Sequence, residues 1–87
     1  MFSVYVLKCK DGSFYTGITN NLKKRLKSHE NGNGSKYVRS RLPFELVYFE
    51  EVQNKSQALK RELRIKSLSR EEKIRLMNSK TLEEGLQ

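Results

Sequence analysis

Lys10-Asp11-Gly12-Ser13 sits between two runs of β-branched, aromatic and aliphatic residues, and it constrains this chain more than any other feature. Residues 2 to 9 carry Phe2, Val4, Tyr5, Val6 and Leu7, and Phe14-Tyr15-Thr16-Gly17-Ile18-Thr19 resumes the same character. An Asp-Gly step between two such runs signals a β-hairpin. Two registers are open. A two-residue Asp11-Gly12 loop places Tyr5 and Tyr15 on opposite faces. A three-residue Lys10-Asp11-Gly12 loop, with Gly12 in the left-handed region, places them on one face and sets Gly17 opposite Tyr5. Glycine weakens a strand interior, so Gly17 suggests close approach by another group.

The remaining elements follow from caps and punctuation. Asn20 or Asn21 caps a helix carrying Leu22 and Leu26, which Asn31-Gly32 stops. Residues 31 to 42 are polar and basic and read as an exposed loop closed by Pro43. Phe44 to Val52 reads as a third strand centred on Val47, Tyr48 and Phe49. Asn54 or Ser56 caps a second helix running to about Leu68. Ser69-Arg70-Glu71-Glu72 has the form of a capping box, opening a third helix with Ile74, Leu76 and Met77. The order β-β-α-β-α-α predicts an α+β domain over residues 2–77: a small three-stranded antiparallel sheet flanked by about three helices. Residues 78–87 read as a short, frayed C-terminal tail.

Eighty-seven residues support one modest core. No apolar run approaches the roughly 20 residues of a bilayer crossing. The first residues lack the features of a signal peptide, and a single cysteine, Cys9, permits no internal disulfide, so cytoplasm is the expected compartment. With no second cysteine or clustered histidine to complete a metal site, Cys9 reads as a packed or edge-strand thiol. Eighteen Lys and Arg against ten Asp and Glu leave a formal charge of +8. Neutralising phosphates with these cations releases counterions, so a polyanion is the expected partner. The cations are spread over several elements rather than along one amphipathic helix, which favours nucleic acid over a membrane surface.

Three polar residues fall on apolar helix faces. On a projection of about 100° per residue, His29 follows Leu22 and Leu26 on the inner side of the first helix, with Arg25 on the flank. The ordinary explanations are a snorkelling arginine and a histidine near terminal carbonyls. In the second helix Ala58 and Ile65 mark one side of an apolar arc, Leu59 and Leu63 the other, and Glu62 lies inside it. A carboxylate there needs a partner. An i, i+4 pair with Lys66 and a bound cation at a cleft edge account for it equally well.

Ser3-Val4-Tyr5 followed by Tyr15-Thr16-Gly17 resembles the paired motif of the GIY-YIG nucleases. The stretch from Asn21 to His29 is similar to that family's arginine-bearing helix, and Ala58 to Lys66 to its glutamate-bearing helix. The resemblance covers residues 2 to 77 and is closest to the small stand-alone members. Ser3, Val4 and Thr16 depart from the motif's glycine and isoleucines, whereas both tyrosines and Gly17 are kept.

The resemblance implies a metal-dependent endonuclease acting on nucleic acid, DNA favoured over RNA, with flaps, branches or single strands as candidate substrates. Glu62 would hold one divalent ion, Mg²⁺ or Mn²⁺. Arg25 would clamp a phosphate oxygen, Tyr15 would act as base with Tyr5 in support, and His29 would share proton transfer or bind phosphate. Lys23, Lys36, Arg39 and Arg41 would contact backbone phosphates. The alternative is a catalytically weak or inactive nucleic-acid-binding adaptor of the same fold.

Overall fold

The computed structural model describes residues 1–85, with side chains through residue 78. Strand β1 (Phe2–Cys9) pairs with strand β2 (Phe14–Thr19) on one side and strand β3 (Phe44–Val52) on the other. Both pairings are antiparallel, giving the order β2-β1-β3. As the central strand, β1 is covered on both faces, and Val4, Tyr5, Val6 and Leu7 are all buried. This explains its nearly unbroken apolar run.

The two faces are covered by different helices. Val4 and Val6 pack with Tyr48, Ala58, Ile65 and Met77, beneath helix α3 (Lys55–Ser67) and helix α4 (Arg70–Gly85). Tyr5, Leu7 and Cys9 pack with Val38, beneath helix α1 (Leu22–Glu30) and the one-turn helix α2 (Lys36–Arg39). The result is an α+β domain with a three-stranded antiparallel sheet between two helical layers. No helix among the described residues is long and apolar enough to cross a membrane.

The expected caps form. Asn21 accepts from the Lys24 amide, Asn54 from the Gln57 amide, and Ser69 and Glu72 bond reciprocally at the start of α4. Helix α4 continues through residues 78–85 of the segment set apart as a tail, and residues 86 and 87 lie outside the described residues.

Two local expectations are corrected. The segment read as an exposed loop contains α2, capped by Ser35, and its Val38 is fully buried against β1. That apolar anchor makes the segment part of the structure covering the sheet. In α3, Leu59 and Leu63 do not face the core: they are 44% and 69% exposed. Ala58 and Ile65 alone make the fully buried line of that helix.

A polar cluster sets the rotation of α3. Tyr48 donates to Glu50 at 2.5 Å, and Glu50 also pairs with Arg61. Burial and the Glu50 hydrogen bond push the Tyr48 phenol up to about 12. On the helix projection Arg61 and Glu62 occupy opposite shoulders of the Ala58–Ile65 line. Arg61 is tied to β3, so Glu62 is turned toward the β2 side of the sheet.

Candidate active site

The hairpin adopts the three-residue loop. Gly12 has φ of +84°, and the Cys9 amide donates to the Ser13 carbonyl at 2.9 Å. Asp11 accepts from the Ser13 amide at 3.0 Å and from its hydroxyl at 2.6 Å, stabilising the turn. Tyr5 therefore faces Gly17 and Leu7 faces Tyr15, placing both tyrosines on the α1 side of the sheet. Their ring centroids are 6.4 Å apart. The Tyr5 ring lies over Gly17, where a Cβ would come within 2.6 Å of the phenolic oxygen. The close approach expected at Gly17 is made by Tyr5.

Helix α1 brings Arg25 and His29 to Tyr5. Their spacing of four residues aligns them on one helical face. His29 is fully buried, with Nε2 2.8 Å from the Tyr5 oxygen. Arg25 donates from Nε to the same oxygen at 3.4 Å and from Nη2 to the Gly34 carbonyl at 3.1 Å. The Tyr5 hydroxyl thus meets Arg25 and His29 together, with one proton to donate and lone pairs to accept. Nδ1 has no hydrogen-bond partner among the described residues. Burial, then the Arg25 charge, holds the His29 pKa below its usual range. Burial also raises Tyr5, against the hydrogen bond from Arg25; Tyr15 and Glu62 add to the rise. The Tyr5 hydrogen bond raises Arg25 further, so its cation is secure.

Tyr15 is only half-buried. Its ring meets His29 edge-on at 5.5 Å and stacks on Tyr37 at 6.0 Å. Tyr37 in turn lies beneath the Arg41 guanidinium, 3.8 Å from the ring centroid. Arg41 bonds Asp11 at 3.0 Å and the Tyr37 carbonyl at 3.1 Å, linking the hairpin turn to α2.

Glu62 has a side chain only 17% exposed and lies 3.4 Å from Lys66. An i, i+4 pair with a half-exposed lysine is worth only about 0.3–0.5 kcal/mol, so it does not commit the carboxylate. The Glu62 charge adds, as the smallest contribution, to the rise of the Tyr5 pKa. Among the described residues no group of three or more His, Cys, Asp or Glu could enclose a metal ion. Lys23, Lys36 and Arg39 are exposed, whereas Arg41 is half-buried and used internally.

The structure thus joins Tyr5, Tyr15, Arg25 and His29 by direct contact or ring packing and sets Glu62 within electrostatic reach. It also adds two residues that sequence reading had not placed at the site. Gly34 supplies a carbonyl to Arg25 and leaves room for His29: a Cβ there would lie 2.2 Å from Nδ1. Tyr37 supports Tyr15. The available signal was Ser35 three residues before Val38, the spacing of an N-cap and the amide it satisfies.

Comparison with known proteins gives the family and the fold. Residues 1–75 match the family model of the GIY-YIG catalytic domain. The UPF0213 protein CPE1444 of Clostridium perfringens is 57% identical over 81 residues, 93% of this chain and 87% of that protein. The UPF0213 protein NP_0776A of Natronomonas pharaonis is 50% identical over 78 residues, 90% of this chain and 92% of that protein. The solution NMR structure of the UPF0213 protein BH0048 from Bacillus halodurans is similar, with a TM-score of 0.60 and 44% identity over 92% of this chain and 86% of that one. The protein EF2693 from E. faecalis superposes with a TM-score of 0.63 and 36% identity over 92% of this chain and 85% of that one. The chain belongs to the GIY-YIG family, whose catalytic domain is of nuclease type and acts on nucleic acid.

Proposed function

We propose that this protein hydrolyses phosphodiester bonds in nucleic acid, with DNA as the first substrate to test, using Arg25, Tyr15 and Glu62 and one Mg²⁺ or Mn²⁺ ion. The observation that carries this reading is the two-point hold on Arg25. Its Nε is tied to Tyr5 and one terminal nitrogen to Gly34. No hydrogen bond among the described residues engages the other terminal nitrogen, and the Tyr15 phenol lies close enough to raise the guanidinium pKa further. That leaves this nitrogen for a non-bridging phosphate oxygen beside Tyr15.

The two tyrosines take different roles because their environments differ. Tyr5 is inaccessible, and its oxygen is already shared by His29 and Arg25. It positions the guanidinium. Tyr15 is half-buried and its hydroxyl can meet water. As the water oxygen bonds to phosphorus and the leaving oxygen departs, Tyr15 as phenolate takes the water's proton. The fixed Arg25 cation stabilises the charge gathering on the phosphoryl group.

Glu62 is suited to a small hard cation. Mg²⁺ is bound through one or two carboxylates, with waters and substrate oxygens completing its shell, so one carboxylate is a sufficient protein contribution. Such an ion would polarise the phosphoryl oxygens. Lys23, Lys36 and Arg39 add backbone-phosphate contacts and hence salt dependence. Arg41 acts by holding Tyr37 beneath it.

The test is cleavage of labelled duplex, single-stranded and branched DNA and RNA with Mg²⁺ or Mn²⁺, comparing wild type with Arg25→Ala and Glu62→Ala. Cleavage lost in both folded variants supports the assignment. Variants that cut as well as wild type would refute it. Binding without cleavage by wild type makes the protein an adaptor.

A further inference from the structure

On α3 the shoulder occupied by Glu62 continues outward. At about 100° per residue, Lys66, Leu59 and Leu63 follow Glu62 in turn around the helix, away from the buried Ala58–Ile65 line. Leu59 and Leu63 are one turn apart and form a single stripe, 44% and 69% exposed. The stripe lies on the β2 side of the helix, because Arg61, on the opposite shoulder, is tied to β3. Scattered exposed leucines are ordinary, but this pair adjoins the candidate metal-binding carboxylate.

The rims of the two helical layers, on opposite faces of the sheet, differ in chemistry. The α1–α2 rim is cationic, with exposed Lys23, Lys36 and Arg39. The α3 rim begins with two leucines, with exposed Lys60 and Lys66 beside them. Phosphates favour the first rim. A backbone phosphate gains nothing against leucine, whereas the face of an unstacked base does, and the neighbouring lysines can neutralise the phosphates of the same strand.

We propose that Leu59 and Leu63 contact the faces of unstacked bases next to the scissile phosphate, which makes the protein selective for strands with unpaired nucleotides. This rests on the nuclease reading of the site. A regular duplex hides its base faces by stacking and offers this stripe nothing apolar. A single strand, flap or bulge exposes them.

The test is fluorescence anisotropy with dye-labelled oligothymidylate and a fully paired duplex, in chelator, over a salt series. Wild type is compared with Leu59→Ala/Leu63→Ala. Single-strand affinity is expected to fall roughly tenfold, the scale of one lost apolar contact, while duplex affinity stays within about twofold. The slope of log affinity against log salt should not change for either probe, because no charge is removed. Equal losses on both probes, or none, overturn the proposal. So does a wild-type dimer that the double variant abolishes, since the stripe would then be a self-association surface. Selective binding without metal-dependent cleavage would reject the nuclease reading and leave the base contact standing. Cleavage without strand selectivity would do the reverse.

Discussion

A Cβ on residue 17 would lie 2.6 Å from the Tyr5 phenolic oxygen and 2.7 Å from the ring carbon that bears it. The hairpin register makes Gly17 the direct partner of Tyr5, so the glycine in β2 and the tyrosine in β1 form one structural unit.

Gly17→Ala must therefore displace a rigid, fully buried ring and break the 2.8 Å contact with His29. A loss of about 1–3 kcal/mol is expected from overpacking, together with loss of cleavage. Gly12→Ala is the control. A Cβ on Gly12 would meet nothing within 4 Å, but φ there is +84°, so strain alone should cost about 1 kcal/mol and the site should keep its activity. Urea denaturation and cleavage assays on both variants check this, and equal activity in the two would contradict it.

Gly34→Ala should act through His29. The added carbon would sit 2.2 Å from Nδ1, while the same residue's carbonyl accepts from Arg25. The imidazole must move, releasing Tyr5 and Arg25 together. Turnover is expected to fall at least tenfold, and the His29 ring resonances should shift in NMR spectra. The double variant Gly34→Ala/His29→Ala, which removes the clash, should be less destabilised than the sum of its parts. Strict additivity would argue against this coupling.

Stability should depend on pH through His29. Its folded pKa is depressed by burial and by Arg25, while the unfolded value is about 6.5. Below about 6.5 the unfolded chain binds the proton first, so unfolding free energy falls as pH drops toward the folded pKa, and the contribution is fully present above about 6.5. His29→Gln should flatten this part of the curve while lowering stability overall. Urea titrations between about pH 5 and 8 test it, and an unchanged slope in the variant would assign the dependence to other groups.

The tyrosines should separate in phenylalanine variants. Tyr15→Phe is expected to lower kcat by about 10²–10⁴ with little change in stability. Tyr5→Phe leaves His29 Nε2 and Arg25 Nε without their shared partner, which should cost about 1–3 kcal/mol and perturb both kcat and KM. Thermal melts and steady-state cleavage separate the two effects. Equal kinetic losses at unchanged stability would mean that both phenols meet the substrate directly.

Sequence by itself determined the elements whose causes are local. The Asp11-Gly12 turn, the Asn21 and Asn54 caps and the Ser69–Glu72 box act within one to three residues, and each stands where the sequence places it. Tyr5, Tyr15, Gly17, Arg25 and Glu62 could be singled out because the GIY-YIG motif residues lie in order along strands and helices that are legible one at a time. Tertiary structure decided the rest. Both hairpin registers satisfied the residues, and only the folded turn, with Gly12 left-handed, set Tyr5 against Gly17. His29 looked like a helix-end residue, yet its partner is 24 positions away. Leu59 and Leu63 belonged to an apolar arc until the Arg61–Glu50 pair fixed the rotation of α3 and left them outward. Val38 and Gly34 lay in a polar segment whose docking depends on the face of β1 beneath it. Caps and turns are short-range interactions that spacing records. Which side of a helix is covered, and which distant group satisfies a buried polar atom, depends on contacts that exist only after the layers have packed.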